Sequence, residues 1–161
     1  AQLVEREGRG LVAAVTAIVG DPHQAEEIVQ DAFERCYRRW RRVSQLDRPG
    51  AWVRRVAINA AISSRRRSAS ERRAVERLGA RPAADGAGTD PLDALDDAAL
   101  WAAVRALPGE QAAAIALRYV ADLSVEDVAA TLEVSLPAAR SLLHRGRRAL
   151  RTSPRLDTYA D

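Results

Sequence analysis

The chain of 161 residues carries a net charge of +3 and is 47% hydrophobic, which is enough apolar surface for one domain or two small ones. Its apolar runs are shorter than the ~20 residues that cross a bilayer, and its first residues lack the pattern of a signal peptide, so we expect a cytoplasmic protein without membrane insertion. One cysteine, Cys36, and two separated histidines, His23 and His144, exclude an intramolecular disulfide and argue against a metal site, a histidine-dependent catalytic pair or a cofactor.

Helical periodicity predicts two helices at the start of the chain. One face of the first helix is predicted to carry Leu11, Val12, Val15, Ile18 and Val19. Asp21 and Pro22 then supply an N-cap and a proline at the first position of the second helix. An apolar stripe on the second helix is predicted to face the core and consists of Ala25, Ile28, Val29, Ala32, Phe33, Cys36 and Trp40.

A loop is predicted to separate the second helix from the third. Residues 41–50 carry turn formers and break the helical period. The third helix begins directly after them and buries Trp52, Val56 and Ala60. Three helices would make a compact bundle over residues 1–78.

The second half of the chain follows a short linker. Residues 79–91 are poor in large apolar side chains and rich in Gly, Pro, Ala and Asp, as linkers are. Residues 92–161 contain four predicted helices, and the last two, 125–132 and 136–151, are joined by a three-residue turn in the manner of a helix-turn-helix. The sequence thus predicts an all-α protein of two small helical domains with a flexible linker.

The arginines are concentrated in two blocks. All 25 basic residues are arginine, and residues 35–78 hold 14 of them against three acidic residues. Residues 136–156 hold six arginines and no acid, whereas residues 79–100 carry five aspartates and one arginine. Two basic blocks around an acidic stretch favour two contacts with a polyanion, although solvated helix faces would give the same counts.

Two segments resemble a known family. DPHQAEEIVQDAFERCYRRW followed by AWVRRVAINAA is similar to conserved region two of the extracytoplasmic-function (ECF) sigma factors, and ALPGEQAAAIALRYVADLSVEDVAATLEVSLPAARSLLHRGRRALR resembles their region four. The segments occur in the family's order and cover most of the chain. The resemblance implies a transcription initiation factor without enzymatic activity, which directs core RNA polymerase to promoter DNA and has an anti-sigma factor as a further partner.

The resemblance also implies a polymerase-binding surface on the second helix. Core polymerase is expected to bind through its beta-prime coiled coil, which contacts this helix in the family, and through its beta flap. Acidic and amide side chains suit a basic partner helix, but a merely solvated face has the same composition. The carried-over contacts are Glu26, Glu27, Gln30, Asp31 and Glu34.

The loop and the third helix resemble the part of the family that recognises and melts the −10 promoter element. Melting requires cations for the strand backbone and stacking faces or pockets for extruded bases. Trp52 either packs in the core or stacks on a base, and Asn59 either contacts the single strand or makes a structural hydrogen bond. The cationic candidates are Arg41, Arg42, Arg48, Arg54, Arg55, Arg65, Arg66 and Arg67.

The last helix resembles the helix that enters the major groove of the −35 element. Its N-terminal half should face base edges, so Arg140, Ser141 and His144 are candidates for base reading. The N-cap Ser135 belongs to the same candidate surface. Phosphate contacts are expected from Arg145, Arg147 and Arg148.

Two residues depart from the family pattern. Leu142 stands where the family commonly has a basic residue, and we predict that Leu142, Leu143 and Leu150 pack in the core. Glu133 stands in the turn where the family commonly has glycine, and it is strained if its backbone is left-handed.

Other classes of protein remain as alternatives. Helix-turn-helix domains of this kind also occur in response regulators, so the alternative is a DNA-binding regulator that does not use core polymerase, which leaves the resemblance to region two without a purpose. An enzyme is disfavoured because the sequence has no phosphate loop, metal cluster or nucleophile with a plausible base. The acidic linker is predicted either to enter polymerase as a mimic of nucleic acid or to act as a passive tether.

Overall fold

The structure is a computed structural model that describes residues 2–79 and 94–153. Within these residues it contains helices and no strands, which confirms the predicted all-α class. Residues 80–91 of the predicted linker lie outside the described ranges. The helices are α1 (Gln2–Val19), α2 (Pro22–Arg38), α3 (Trp40–Val43), α4 (Pro49–Arg77), α5 (Ala94–Ala106), α6 (Gly109–Tyr119), α7 (Val125–Leu132) and α8 (Leu136–Arg151).

Local capping signals fix where three of the helices begin. The Asp21 carboxylate accepts a hydrogen bond from the backbone N–H of His23 at 3.0 Å and opens α2. The hydroxyls of Ser124 and Ser135 accept from the backbone three residues on, at 3.1 and 3.2 Å, and open α7 and α8. Each cap satisfies a backbone donor that the first helical turn leaves without a partner. The predicted bounds of α7 and α8 are confirmed.

The segment after α2 differs from the prediction. The chain forms the short helix α3 where residues 41–50 were expected to be a loop, and α4 already begins at Pro49. Trp40 belongs to α3 and is 46% exposed, so its place in the predicted buried stripe is wrong. Helix α2 ends at Arg38, because Arg39 leaves the helical conformation (φ −111°, ψ 18°), so Trp40 no longer continues the apolar stripe, and Val43 is the buried residue of α3.

Helix α4 buries a different face from the predicted one. Trp52, Val56 and Ala60 are only partly buried, whereas the fully buried apolar positions of α4 include Val53 and Ile58. The reason is that α4 packs on two sides, against α1 and α2 within the N-terminal half and against α6 and α7 of the C-terminal half. A single-stripe interpretation cannot place a helix with two buried sides.

The N-terminal half (residues 2–79) and the C-terminal half (residues 94–153) pack against each other. Helix α1 lies against α5 and α6, and the buried apolar residues of both halves form one continuous cluster. Gly10 of α1 brings its backbone close to Ala121, since a Cβ at Gly10 would lie 3.5 Å from the Ala121 Cα. Residues 112–117 of α6 are all buried, because helices from both halves surround α6. None of the described helices is long and apolar enough to cross a bilayer.

Candidate nucleic-acid interface

Helix α8 has one buried face and one basic face. Ala139, Leu142, Leu143 and Gly146 are buried, and Leu150 packs partly buried against the same core, in agreement with the core prediction for the three leucines. At Gly146 a Cβ would lie 2.9 Å from an Ile115 side-chain carbon, so this face packs tightly on α6. The predicted −35 candidates are all exposed, namely Ser135, Arg140, Ser141, His144, Arg145, Arg147 and Arg148.

The arginines of α8 are available to a ligand. Among the described side chains no acidic group lies within ion-pair distance of Arg140, Arg145 or Arg148. Arg147 donates a hydrogen bond to the hydroxyl of Tyr119 at 2.7 Å, a contact between exposed neutral and charged groups that orients the guanidinium without neutralising it. The basic face of α8 is therefore both exposed and uncompensated.

The arginines assigned to the −10 surface fall into two groups. Arg41, Arg42, Arg66 and Arg67 are exposed. The other group consists of Arg48, Arg54, Arg55 and Arg65, and each of these is bound by acceptors of the C-terminal half. The sequence-based set is thus not one uniform DNA-facing surface in this structure.

Arg54 is the most deeply placed of the bound arginines, with only 5% of its surface exposed. Its Nη1 donates to the Glu7 carboxylate of α1, and its Nε donates to the Thr131 hydroxyl of α7 at 2.9 Å. Its Nη2 lies 3.8 Å from an oxygen of Asp127. A buried guanidinium needs such partners because an uncompensated buried charge is strongly destabilising.

Gly50 makes room for this arrangement. It is the second residue of α4, and a Cβ at this position would lie 2.6 Å from Glu7 Oε1, closer than real side-chain carbons approach. The glycine lets the Glu7 carboxylate reach both Arg54 and the N-terminal end of α4, where the helix dipole favours negative charge.

Two further ion pairs join the halves at the surface. Arg48 contacts Asp127 at 2.9 Å, and Arg55 contacts Glu133 at 2.7 Å. Glu133 ends α7 with a φ of 55°, so the left-handed conformation considered in the sequence analysis is present. The Nε of Arg55 is buried and has no hydrogen-bond partner among the described residues.

Arg65 binds the end of α5 through backbone acceptors. Its guanidinium donates to the carbonyl oxygens of Arg105 and Leu107, both at 2.9 Å. These carbonyls lie at the helix C-terminus, where backbone acceptors lack helical partners and carry partial negative charge. Burial lowers the pKa of the Arg65 guanidinium, and the positive charge of Arg66 lowers it further.

Two −10 candidates were left open between alternatives. Trp52 is partly buried and packs against the hydrophobic cluster, so much of its ring serves the core. Asn59 is exposed, and within residues 2–79 and 94–153 its side chain makes no hydrogen bond, so no structural bond occupies it.

The predicted polymerase-binding residues share the exposed face of α2. The five side chains are all solvent-accessible, and Glu34 forms an ion pair one turn along the helix with Arg38. Two exposed aromatics, Tyr37 (82% exposed) and Trp40, lie beyond the C-terminal end of this face. The residues on this face are Glu26, Glu27, Gln30, Asp31 and Glu34.

Cys36 lies on the buried face of the same helix, α2. Burial raises the pKa of its thiol, so the reactive thiolate is suppressed and the residue packs as a small hydrophobe, as the sequence predicts. Among the described residues no group of three or more His, Cys, Asp and Glu side chains is arranged to hold a metal ion.

Sequence reasoning missed the residues that hold the α4 arginines. Glu7, Thr131, Asp127 and Glu133 were not assigned to any site, although their partners were. The one signal in the sequence was Glu133, an acidic residue in a turn that favours glycine.

Comparison with known proteins identifies the two halves. The family model of Sigma-70 region 2 matches residues 3–71, and that of Sigma-70 region 4 matches residues 97–150. A solved structure of the sigma factor RpoE from Bartonella quintana, in complex with the anti-sigma factor NepR, has the same fold, with a TM-score of 0.71 and 21% identity over 99% of this chain and 96% of that one.

Two curated relatives extend the match along the chain. The RNA polymerase sigma-E factor of Streptomyces coelicolor is 30% identical over 141 residues, which are 88% of this chain and 77% of the relative. The ECF RNA polymerase sigma factor SigE of Mycolicibacterium smegmatis is 31% identical over 156 residues, 93% of this chain and 59% of the relative. With both regions present in order and this identity over most of the S. coelicolor protein, the chain belongs to the ECF family of RNA polymerase sigma factors, which direct polymerase to promoters.

Proposed function

We propose that this sigma factor uses three separate surfaces for initiation. The exposed acidic face of α2 binds the beta-prime coiled coil of core polymerase, α4 with the preceding segment contacts the −10 element, and α8 enters the major groove of the −35 element. The domains that carry these surfaces are residues 1–78 and 92–161, with residues 79–91 as the linker.

The observation that carries the proposal is the geometry of α8. Its N-cap Ser135 is exposed and positions the helix start, its apolar side is fixed on α6 and α7, and its basic side has no acidic partner among the described residues. A rigidly held helix with exposed side chains in its first turns is what base reading requires. Arg140 and His144 lie one turn apart on this side.

The −10 surface is proposed to combine two kinds of residue. Exposed Arg41, Arg42, Arg66 and Arg67 supply cations for the strand backbone. Asn59, exposed and without a structural hydrogen bond among the described residues, is a candidate for contact with an unpaired base.

The polymerase surface is tested by run-off transcription, in which the chain is titrated against a fixed amount of core enzyme and the half-maximal concentration gives its affinity. We expect Glu27→Ala/Asp31→Ala to lower affinity for core polymerase about tenfold or more, because both removed groups lie on the proposed contact face. Glu71→Ala/Glu76→Ala is the matched control, since it removes the same charge from exposed positions of α4 away from α2.

The same assay decides between the two function classes. A sigma factor gives promoter-specific transcripts only together with core polymerase. The regulator alternative would replace the proposal if the chain alone bound promoter DNA sequence-specifically and gave no transcripts when core polymerase was added.

The partners and activity class follow from the same proposal. We propose an anti-sigma factor as a further partner, supported by the family resemblance and by the RpoE relative that was solved with NepR. The chain is proposed to have no catalytic activity and no cofactor, and to act in the cytoplasm, where polymerase and promoter DNA are. A pull-down under non-inducing conditions that recovers only polymerase subunits would contradict the anti-sigma partner.

A further inference from the structure

The contacts between the two halves involve four arginines that the family resemblance assigns to the −10 element. Arg48, Arg54 and Arg55 all contact side chains of α7 or of the turn that follows it. Arg65 donates to backbone carbonyls at the end of α5. While these contacts exist, Arg54 is buried away from any strand, and donors of Arg48, Arg55 and Arg65 are occupied by protein acceptors.

The acceptors have the chemistry of the ligand that they exclude. A carboxylate and a phosphate both offer anionic oxygens to a guanidinium, and arginine binds either by charge-assisted hydrogen bonds. Asp127 and Glu133 present two such groups to Arg48 and Arg55 at 2.9 and 2.7 Å. The acidic edge of α7 therefore competes with a nucleic-acid strand for the same side chains.

The closed arrangement carries features that oppose it, as expected of a contact that opens. Arg55 keeps an unsatisfied buried Nε, and Arg65 is desolvated enough to lower its pKa. The side chains of Arg48 and Asp127 are 53% and 39% exposed, so water and salt can reach this pair.

We propose that Asp127 and Glu133 form an intramolecular lock, which binds the α4 arginines in place of DNA phosphates and keeps the −10 surface of the free protein closed. The inference rests on the proposed function, because it adds Arg48, Arg54 and Arg55 to the −10 surface proposed there. Core polymerase or promoter DNA opens the lock by offering these groups other partners. The left-handed Glu133 is retained in the turn because its carboxylate completes the lock.

The test uses the full chain with the lock removed from its acidic side. Asp127→Asn/Glu133→Gln keeps side-chain shape and the Ser124 contact at residue 127, and it substitutes no residue of the proposed DNA or polymerase surfaces. Glu110→Gln/Glu126→Gln is the matched control, because both residues are exposed acids of the C-terminal half that pair with no arginine among the described residues. Circular dichroism confirms that each variant is folded.

The first readout is the radius of gyration from small-angle X-ray scattering. A single compact body of this length has a value of about 15 Å. The lock variant should be larger than wild type at low salt, and wild type should expand towards the variant's value as salt screens the pairs. The control should behave like wild type. A lock variant with the radius and salt response of wild type would overturn the lock.

The second readout is the affinity of the free chain for a short fluorescein-labelled thymidine homopolymer, measured by anisotropy. The lock variant should bind about threefold to tenfold more tightly than wild type, because exposed ion pairs of this kind contribute modestly each. The control, which loses the same negative charge, should change less than about twofold. An equal gain in affinity for both variants would contradict the proposal that Asp127 and Glu133 keep the −10 surface closed. It would show that the gain comes from the loss of negative charge in general.

A charge swap isolates the pair at residue 133. Glu133→Arg should expand the chain, and adding Arg55→Glu should restore the wild-type radius. Failure of the second change to restore it would show that the two residues do not act as a pair. Run-off transcription reports separately on the proposed function, since a chain that initiates with core polymerase but shows no lock contradicts only the present inference.

Discussion

Helices α4 and α8 are both rich in arginine, but the structure uses their arginines differently. On α8 the guanidinium groups are exposed and have no acidic partner among the described residues. On α4, Arg54, Arg55 and Arg65 are bound by groups of the other half, and Arg54 is buried. Charge counts treat the two helices alike, so the number of arginines predicts affinity for a polyanion but not which arginines are available.

The difference follows from how each helix is surrounded. Among the described helices, α8 packs mainly on α5, α6 and α7 of its own half, and its basic face is exposed. Helix α4 packs against α1 and α2 on one side and α6 and α7 on another, and its polar residues fall between the two halves. An arginine in that position is available to DNA only after the halves separate.

The largest effect that this comparison predicts is on stability. Arg54→Ala should lower the free energy of unfolding by ~3 to 5 kcal/mol, because it leaves the partly buried Glu7 carboxylate with only the exposed Arg6 as an ion-pair partner among the described residues. Urea denaturation measures the change. Arg66→Ala removes an exposed arginine of the same helix and should stay within ~0.5 kcal/mol of wild type. Equal stability of the two variants would show that the buried contacts of Arg54 do not stabilise the fold.

A smaller effect is expected in promoter discrimination by α8. Arg140→Ala should weaken binding to the preferred −35 sequence by ~1 to 3 kcal/mol and flatten preference at one or two base pairs. The melting temperature should remain that of wild type, because no described acidic side chain pairs with Arg140. Binding of the variant holoenzyme to a set of −35 variants is the measurement, and unchanged preference would remove Arg140 from the reading residues.

The arginine two turns further along α8 should act through charge alone. Arg148→Ala is expected to weaken all promoters alike and to lower the salt slope of binding by about one, as loss of a single phosphate contact does. The slope is obtained from holoenzyme affinity over a salt titration. A loss confined to particular −35 sequences would place Arg148 among the base-reading residues instead.

The smallest effect of separating the halves is expected on the thiol reactivity of Cys36, which lies in the N-terminal core. Because burial raises the pKa of its thiol, native protein should react with a thiol reagent more than about tenfold more slowly than urea-unfolded protein. The lock variant Asp127→Asn/Glu133→Gln should keep this protection. Rapid labelling of that variant would show that opening disrupts the bundle as well as the interface.

Local features of the fold were predictable, whereas contacts between distant segments were not. The caps at Asp21, Ser124 and Ser135 act within three residues, so α2, α7 and α8 begin where the sequence predicts. Arg54 is held by Glu7 and Thr131, which are 47 and 77 residues away along the chain. No periodicity in the sequence records such pairings, because they depend on how the two halves pack.

The candidate site shows the same limit. The exposure of the α8 candidates followed from the amphipathic period of one helix. The burial of Arg54 and the exposure of Trp40 did not, because the first depends on α1 and α7 and the second on the change of direction after Arg38. The −10 arginines were therefore assigned as a group, although the structure divides them.

The left-handed turn at Glu133 has a consequence for how a single substitution behaves under different conditions. Glu133→Gly removes an unfavourable backbone conformation, worth ~1 to 2 kcal/mol, and at the same time removes the partner of Arg55. At low ionic strength loss of the pair, worth ~0 to 1 kcal/mol for exposed groups, offsets part of this gain, so the substitution should be only weakly stabilising. At high ionic strength screening has already weakened the pair, so the full relief of strain remains and the same substitution becomes more stabilising. Residue 133 thus makes the preference for glycine in this turn a function of salt concentration.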